Sequence, residues 1–365
     1  MRRLYTSLLI IAILAFITCT SQPDTYTVET IDGVRHVHNL APLWGEEQKI
    51  GLEFVQKIDS FTSDYFFAFT IGSNDNLYIL SYDNGSKKQQ IEIFDSKDNR
   101  LSILDKIKDG PGEFELFHYI RTDNNSNLFL SQSGGPIHYY NNSGEYISTV
   151  RFREKTATFR VLNSNFLLIN PEYSTDYIEP EYHLLYVVDV NGRIKNEFCI
   201  PGKYVETKTE VIGNQIDFSN DDNDNILVSF RYQNRIEKYT PDGTLMLKTD
   251  RRLNYEPGFE MLERNVSIPR NRVVRSPKFV NVSQGIGIDN KKRIWNLHYM
   301  HQPLDNEINA FNYLEFEVFS DDGILLTVVP LPEIDFDGFQ QSGDKIYFKD
   351  LSKEMCIYEY RIVEK

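Results

Sequence analysis

An internal repeat constrains this chain more than any other feature. A short strand opened by a polar turn, a second strand of alternating pattern, a Gly or Asn turn and a third strand recur through the 365 residues. The most regular copy reads Asn225-Ile226-Leu227-Val228, then Arg235-Ile236-Glu237-Lys238-Tyr239, then Pro241-Asp242-Gly243-Thr244-Leu245. Five others centre on Leu77-Tyr78-Ile79-Leu80, Leu128-Phe129-Leu130, Phe166-Leu167-Leu168, Ile294-Trp295-Asn296-Leu297 and Ile346-Tyr347-Phe348. Asx-Gly steps between period-two strands are strong hairpin signals. Each unit is preceded by another short strand candidate, at 66–71, 117–122, 157–161, 215–218, 285–288 and 334–339. Four strands at a repeat of about fifty residues is propeller spacing. No amphipathic helix interrupts the series. The expected fold is all-β, a six-bladed β-propeller with four-stranded antiparallel blades.

The sixth copy runs out of chain before its outer strand. The missing piece stands at the other end. Leu52-Glu53-Phe54-Val55-Gln56-Lys57-Ile58 lines up with Leu101-Ser102-Ile103-Leu104-Asp105-Lys106-Ile107, the outer strand of the first copy. The N-terminal strand is therefore expected to complete the last blade and close the ring, which removes an open strand edge. Ahead of it, the stretch from Tyr26 to His38 reads as a hairpin turning at Asp32-Gly33.

The first residues read as an export signal. Met1-Arg2-Arg3 is a short basic region, and residues 8–17 are an apolar run of ten, about half the length a spanning helix needs. Thr18-Cys19 follows, and a cysteine there resembles the lipobox of bacterial lipoproteins, with Phe16 and Thr18 departing from the usual residues. The resemblance implies diacylation of Cys19. The expected organisation is a signal peptide over 1–18, a lipidated linker over 19–25 and the propeller over 26–365. The expected location is the bacterial envelope, at the outer membrane.

Gly110-Pro111-Gly112-Glu113-Phe114, followed by an inner strand, a polar turn and Asn127-Leu128-Phe129, resembles the NHL-type repeat. The opening from Ile31 to Asn39, with Leu52-Glu53-Phe54-Val55 after it, resembles the uncharacterised six-bladed propeller lipoproteins of Bacteroidetes. These resemblances imply a fold and an envelope location but no reaction.

Net charge of −14 argues against nucleic acid and against a polybasic membrane surface, leaving the lipid anchor as the membrane link. A Gly-x-Ser-x-Gly elbow is absent. Cys199 and Cys356 fall in the third and sixth blades, on opposite sides of a ring, and are expected to be free thiols. Two sets of residues stand out. Arg251, Arg252, Arg264, Arg270, Arg272, Arg275 and Lys278 reverse the sign of charge in a long insertion. Arginine forks suit carboxylate or phosphate recognition. The competing reading is a surface loop paired with the acidic body of its own propeller. Asp123, Asp217, Asp289 and Asp335 are candidate channel carboxylates, placed on or just past the inner strands.

The main expectation is a monomeric envelope lipoprotein whose propeller binds a protein, peptide or glycan partner, with no cofactor and no catalysis evident. The alternative is a cation-dependent hydrolase or lyase of the gluconolactonase type, with calcium on the channel axis. Whether the chain holds a metal is left open by its scattered carboxylates.

Overall fold

A computed structural model describes residues 25–61, 65–85, 88–104, 116–163, 165–175, 181–266, 272–304, 306–350 and 354–365. The expected export segment with Cys19, the glycine-rich stretch 110–114 and Arg270 lie outside the described residues.

The chain opens with a hairpin, β1 (Tyr26–Ile31) and β2 (Val34–Asn39), and then β3 (Ile50–Ile58). Blade 1 is β4 (Tyr65–Ile71), β5 (Leu77–Asp83), β6 (Lys88–Phe94) and β7 (Arg100–Leu104). Blade 2 is β8 (Tyr119–Thr122), β9 (Leu128–Ser131), β10 (Ile137–Tyr140) and β11 (Tyr146–Val150). Blade 3 is β12 (Lys155–Val161), β13 (Leu167–Glu172), β14 (Leu185–Val188) and β15 (Ile194–Phe198). A short helix, α1 (Thr207–Gly213), leads into blade 4: β16 (Ile216–Asn220), β17 (Ile226–Phe230), β18 (Ile236–Tyr239) and β19 (Leu245–Arg251). A separate hairpin, β20 (Phe259–Val266) and β21 (Arg272–Phe279), precedes blade 5: β22 (Ser283–Ile288), β23 (Ile294–Tyr299), β24 (Leu314–Phe319) and β25 (Leu325–Pro330). The last strands are β26 (Gly338–Ser342), β27 (Lys345–Asp350) and β28 (Cys356–Glu364).

The sixth sheet runs β26-β27-β28-β3, with Ile357 opposite Ile58 and Glu364 opposite Ile50. β3, which follows the opening hairpin, thus completes the last blade. The fold is a six-bladed β-propeller.

Period-two alternation explains how the ring holds together. On β9, Leu128 and Leu130 pack toward blade 1 while Phe129 packs toward blade 3. On β17, Ile226 and Val228 pack toward blade 3 and Leu227 toward blade 5. Each second strand therefore feeds two interfaces and reads as continuously apolar. The result is six apolar wedges, one at each blade junction. Each fully buried Leu, Ile, Val or Phe there contributes roughly 1.5–3 kcal/mol.

The turns are equally regular. The inner hairpin of each blade places one residue at positive φ: Asp75, Ser126, Asn165, Asp224, Lys292 and Gly343. The outer hairpins use Asp98, Gly144, Gly192, Gly243 and Gly323. Apart from the two-residue turn at Gly343, these are three-residue turns, a type I turn followed by a left-handed residue; Asp123 N–H to the Asn127 carbonyl at 3.1 Å and Ser126 N–H to the Asp123 carbonyl at 3.0 Å show the pattern. Only Asp32-Gly33 is a two-residue Asp-Gly turn, with both residues at positive φ.

Third strands bury glutamates at one recurring place, two residues before Phe94, Tyr239 and Phe319. Glu92, Glu237 and Glu317 are 0%, 2% and 3% exposed. Arg100 lies 3.5 Å from Glu92, Lys248 3.6 Å from Glu237, and the Arg251 Nε only 2.6 Å from Glu317. The last pair joins blade 4 to blade 5. Around it, Ser229 and Ser283 donate to Asn296 Oδ1 at 2.9 and 3.0 Å, and His298 Nε2 approaches Glu317 at 3.6 Å. Burial holds the His298 imidazole toward its neutral form.

Beside this seam, burial and then the Glu317 charge raise the Glu315 carboxyl to about 7. A carboxyl whose folded value is raised favours folding most below its unfolded value, near 4.5, and that contribution is lost as pH rises toward 7. The expected outcome for Glu315→Gln is a gain of about 2 kcal/mol at about pH 8, after allowance for partial exposure, that vanishes near pH 4.5. Urea titrations of both proteins across that range check it.

Candidate functional site

Inner strands of a closed ring turn their unpaired edge to the axis, and the side chains beside that edge reach the channel. Here that lining is polar and charged. A cavity of about 290 Å³ opens on the axis, lined from β12 by Thr158 and Arg160, from β16 by Asp217, and from β22 by Gln284. Arg121 of β8, Arg231 just past β17, and Asp337 and Gln340 of the last blade complete its polar lining. A second space of about 160 Å³ shares Arg121, Gly338, Phe339 and Gln340 with it and adds Phe67, Phe69, His118 and Lys349. Together they form one funnel drawing on all six blades.

Antiparallel topology fixes which end is open. Strand starts such as Gly338 and second-strand ends such as Arg231 and Lys349 stand at one rim. At the other end the inner turns are laced together. Ser73 donates to the Asn124 carbonyl at 2.8 Å, Asn124 to Asn163 Oδ1 at 3.0 Å, and Asn163 to the Asp222 carbonyl at 3.0 Å.

Four cations and two carboxylates are placed on the funnel wall: Arg121, Arg160, Arg231 and Lys349 against Asp217 and Asp337. Arg231 grips Asp217 in a two-point fork, Nε to Oδ2 at 2.9 Å and Nη2 to Oδ1 at 2.8 Å. That carboxylate is the main reason the Arg231 guanidinium is held above its ordinary range. Arg121 and Arg160 lack such a partner among the described residues. Arg121 Nη1 donates to the Ile120 carbonyl at 2.7 Å, and Arg160 Nε to the Phe218 carbonyl at 3.2 Å. The Arg121 Nε is buried with no hydrogen-bond partner. Desolvation deep in the ring, and then the neighbouring Arg160 charge, lower Arg121 to about 9. Both arginines therefore stay cationic at neutral pH.

The four candidate carboxylates do not converge. Asp123 and Asp289 sit in inner turns, not on the axis. Asp123 Oδ1 accepts the Asn125 and Asn127 amides at 2.8 and 2.9 Å, and Asp289 Oδ1 accepts the Lys291 and Arg293 amides, both at 2.9 Å. Asp289 Oδ2 is taken up by Arg293 at 2.6 Å and Trp295 Nε1 at 3.1 Å. Asp335 precedes its blade's inner strand, because β26 starts at Gly338 and not at residue 334. Only Asp217 faces the axis, already paired. Among the described residues, no group of three His, Cys, Asp or Glu side chains could hold a metal ion.

The Arg-rich insertion is not a loop but the β20–β21 hairpin. Arg251 ends β19, 3% exposed, and belongs to the seam with Glu317. Arg252 is exposed, and Arg264 and Arg272 stand in β20 and β21. Arg275 pairs with Glu263 at 2.8 Å and Lys278 with Glu260 at 3.8 Å, each directly across the hairpin. Two of the seven cations are thus answered across the hairpin, and Arg251 by Glu317. Cys199 and Cys356 are free and buried, and burial first, then Glu237, pushes the Cys199 thiol up, away from nucleophilic use.

No protein-family model and no curated protein matches the sequence. Among solved structures, the fold is similar to a member of the DUF4221 family from Bacteroides vulgatus, at 11% identity and TM-score 0.58, covering 87% of this chain and 99% of that one. It is similar to a Bacteroides fragilis protein described as exported, at 12% identity and TM-score 0.54, covering 90% and 99%. It is also similar to the PQQ-bound aldose sugar dehydrogenase of Streptomyces coelicolor, at 11% identity and TM-score 0.50, covering 87% and 100%. At such identities the likeness establishes the propeller and leaves the chemistry to the residues.

If Asp123 and Asp289 staple turns, Asp123→Ala and Asp289→Ala each cost about 1–3 kcal/mol in urea denaturation, the range for buried donors left unpaired. Millimolar calcium then leaves the melting temperature of the parent unchanged. A calcium-dependent rise abolished by both substitutions contradicts this assignment.

Proposed function

We propose that this protein is an exported, lipid-anchored recognition scaffold that binds a small ligand, or the end of a peptide or glycan, in the axial funnel. The observation that carries the reading is the funnel itself, a concavity of about 290 Å³ at the open end of the ring, with side chains contributed by separate blades. Concave sites with a few convergent polar groups are the usual form of ligand pockets. The wall mixes an aromatic side, Phe67 and Phe339, with the amides of Gln284 and Gln340 and the arginines. Export and anchoring are supported by the basic and apolar leader ending at Cys19, and by the exported description of one similar structure. Binding without turnover is the reading preferred, since the funnel brings together no nucleophile with a base.

A block of the funnel tests the proposal. A Cβ built on Gly338 meets no atom within 4 Å, so the backbone there tolerates a side chain and Gly338→Trp fills the mouth. Detergent-solubilised protein is applied to peptide and glycan arrays, with Cys19→Ser followed in parallel by membrane fractionation. The expected outcome is a defined set of ligands retained by the parent and lost by Gly338→Trp, with Cys19→Ser released from membranes. Equal retention by the blocked funnel overturns the binding site, and a membrane-bound Cys19→Ser overturns the anchor.

A further inference from the structure

Propeller axes are commonly polar, but this one is polar with an excess of one sign. We infer that the funnel takes an oxyanion, the carboxylate or phosphate head of a small organic acid, held between Arg121 and Arg160 with Lys349 at the rim. The inference rests on the funnel being the binding site and names the chemistry it selects.

The first support is charge that the protein leaves unanswered. The Arg231–Asp217 fork is internally neutral. What remains is Arg121, Arg160 and Lys349 against Asp337 alone. Asp337 acts on Lys349 and Asp217 also acts on Arg160, whereas the charge acting most strongly on Arg121 is that of Arg160, of the same sign. Cations withdrawn from water cost several kcal/mol each unless an anion compensates them. In a chain of net −14 such a concentration of positive charge does not arise from a generally basic surface.

Geometry gives the second support. A guanidinium carries five N–H donors in a planar fork. Arg121 and Arg160 each spend one on a backbone carbonyl, which fixes the side chain in place, and the Arg121 Nε is buried and unpartnered. Both guanidinium groups border the same cavity. Forks of this kind suit two-point recognition of carboxylate or phosphate.

Size and setting narrow the ligand. About 290 Å³, with a further 160 Å³ beside it, accommodates a small acid and not a polyanion. The acidic body repels polyanions at long range, so an extended nucleic acid or sulfated chain is disfavoured. The body of the acid would lie against Phe67 and Phe339, within reach of the Gln284 and Gln340 amides.

Titration calorimetry with inorganic phosphate and with acetate, at ionic strength matched with sodium chloride, tests this on the full protein. The expected result is saturable binding of at least one probe, weakened at least tenfold by Arg121→Gln and by Arg160→Gln. Which probe binds more tightly tells a phosphate head from a carboxylate. Should a variant bind poorly because it folds poorly, its melting temperature reports that. Relief of repulsion makes Arg121→Gln melt at or above the parent in anion-free buffer, while phosphate or acetate raises the parent's melting temperature more than the variant's. Absence of saturable binding, or equal binding by parent and both variants, overturns the inference. If the array ligands are still lost in Gly338→Trp, recognition at the funnel stands and only the anion assignment falls.

Discussion

Everything in this fold depends on the pairing of β3 with β28. Each blade buries its apolar faces only because a neighbour stands on both sides, and a linear series of blades would leave two such faces in water. The β3–β28 ladder joins the strand that leads into blade 1 to the last strand, so blades 6 and 1 meet. Residues ahead of it extend the hold. β2 pairs in parallel with β19 of blade 4, from Leu247 opposite Arg35 to Arg251 opposite Asn39. The Leu43 and Trp44 amides then bond to the Leu325 and Leu326 carbonyls of blade 5 at 2.8 and 3.0 Å. Before the first blade begins, the chain has bound the last three.

That strap sits where the ring is least apolar. The junction of blades 4 and 5 combines six buried apolar residues with the seam of Arg251, Glu317, Asn296, His298 and two serines. Asn39, 2% exposed, reinforces it by sharing the two N–H donors of its amide among Thr249 Oγ1, the Asp250 carbonyl and the Gly323 carbonyl at 2.9–3.0 Å, while its Oδ1 accepts the Leu325 amide. A buried ion pair is weak as a source of stability, but losing one partner is costly. The seam therefore fixes which blades adjoin more than it strengthens the junction.

Closure is also what makes a site. The ring turns the unpaired edge of every inner strand inward, and six such edges at fixed spacing enclose the funnel. The blade strands, their order and the closing strand were legible from the sequence, because alternation and Asx-Gly turns are local signals, whereas the β20–β21 hairpin reads there as a loop and the start of β26 reads too early. The parallel β2–β19 pairing had no local signal, and neither did the arginines. Tyr119-Ile120-Arg121-Thr122 and Phe159-Arg160-Val161 read as ordinary half-exposed strands until the ring places their polar positions on the axis. The aspartates did carry a missed signal. Asp123-Asn124-Asn125-Ser126-Asn127 and Asp221-Asp222-Asn223-Asp224-Asn225 share an acid followed four residues later by Asn, which is a side chain capping its own turn. Likewise, the apolar-Glu-apolar triplets Ile91-Glu92-Ile93 and Phe316-Glu317-Val318 marked buried, paired glutamates.

Hydrogen exchange read by mass spectrometry tests the dependence on closure most directly. If β3 and β28 hold the ring, their amides exchange only through the global opening that also exposes β17, and the three strands show the same slow rate. Exchange of β3 and β28 far ahead of β17, with the other blades still protected, would mean that the ring opens without losing its blades, and would contradict the account.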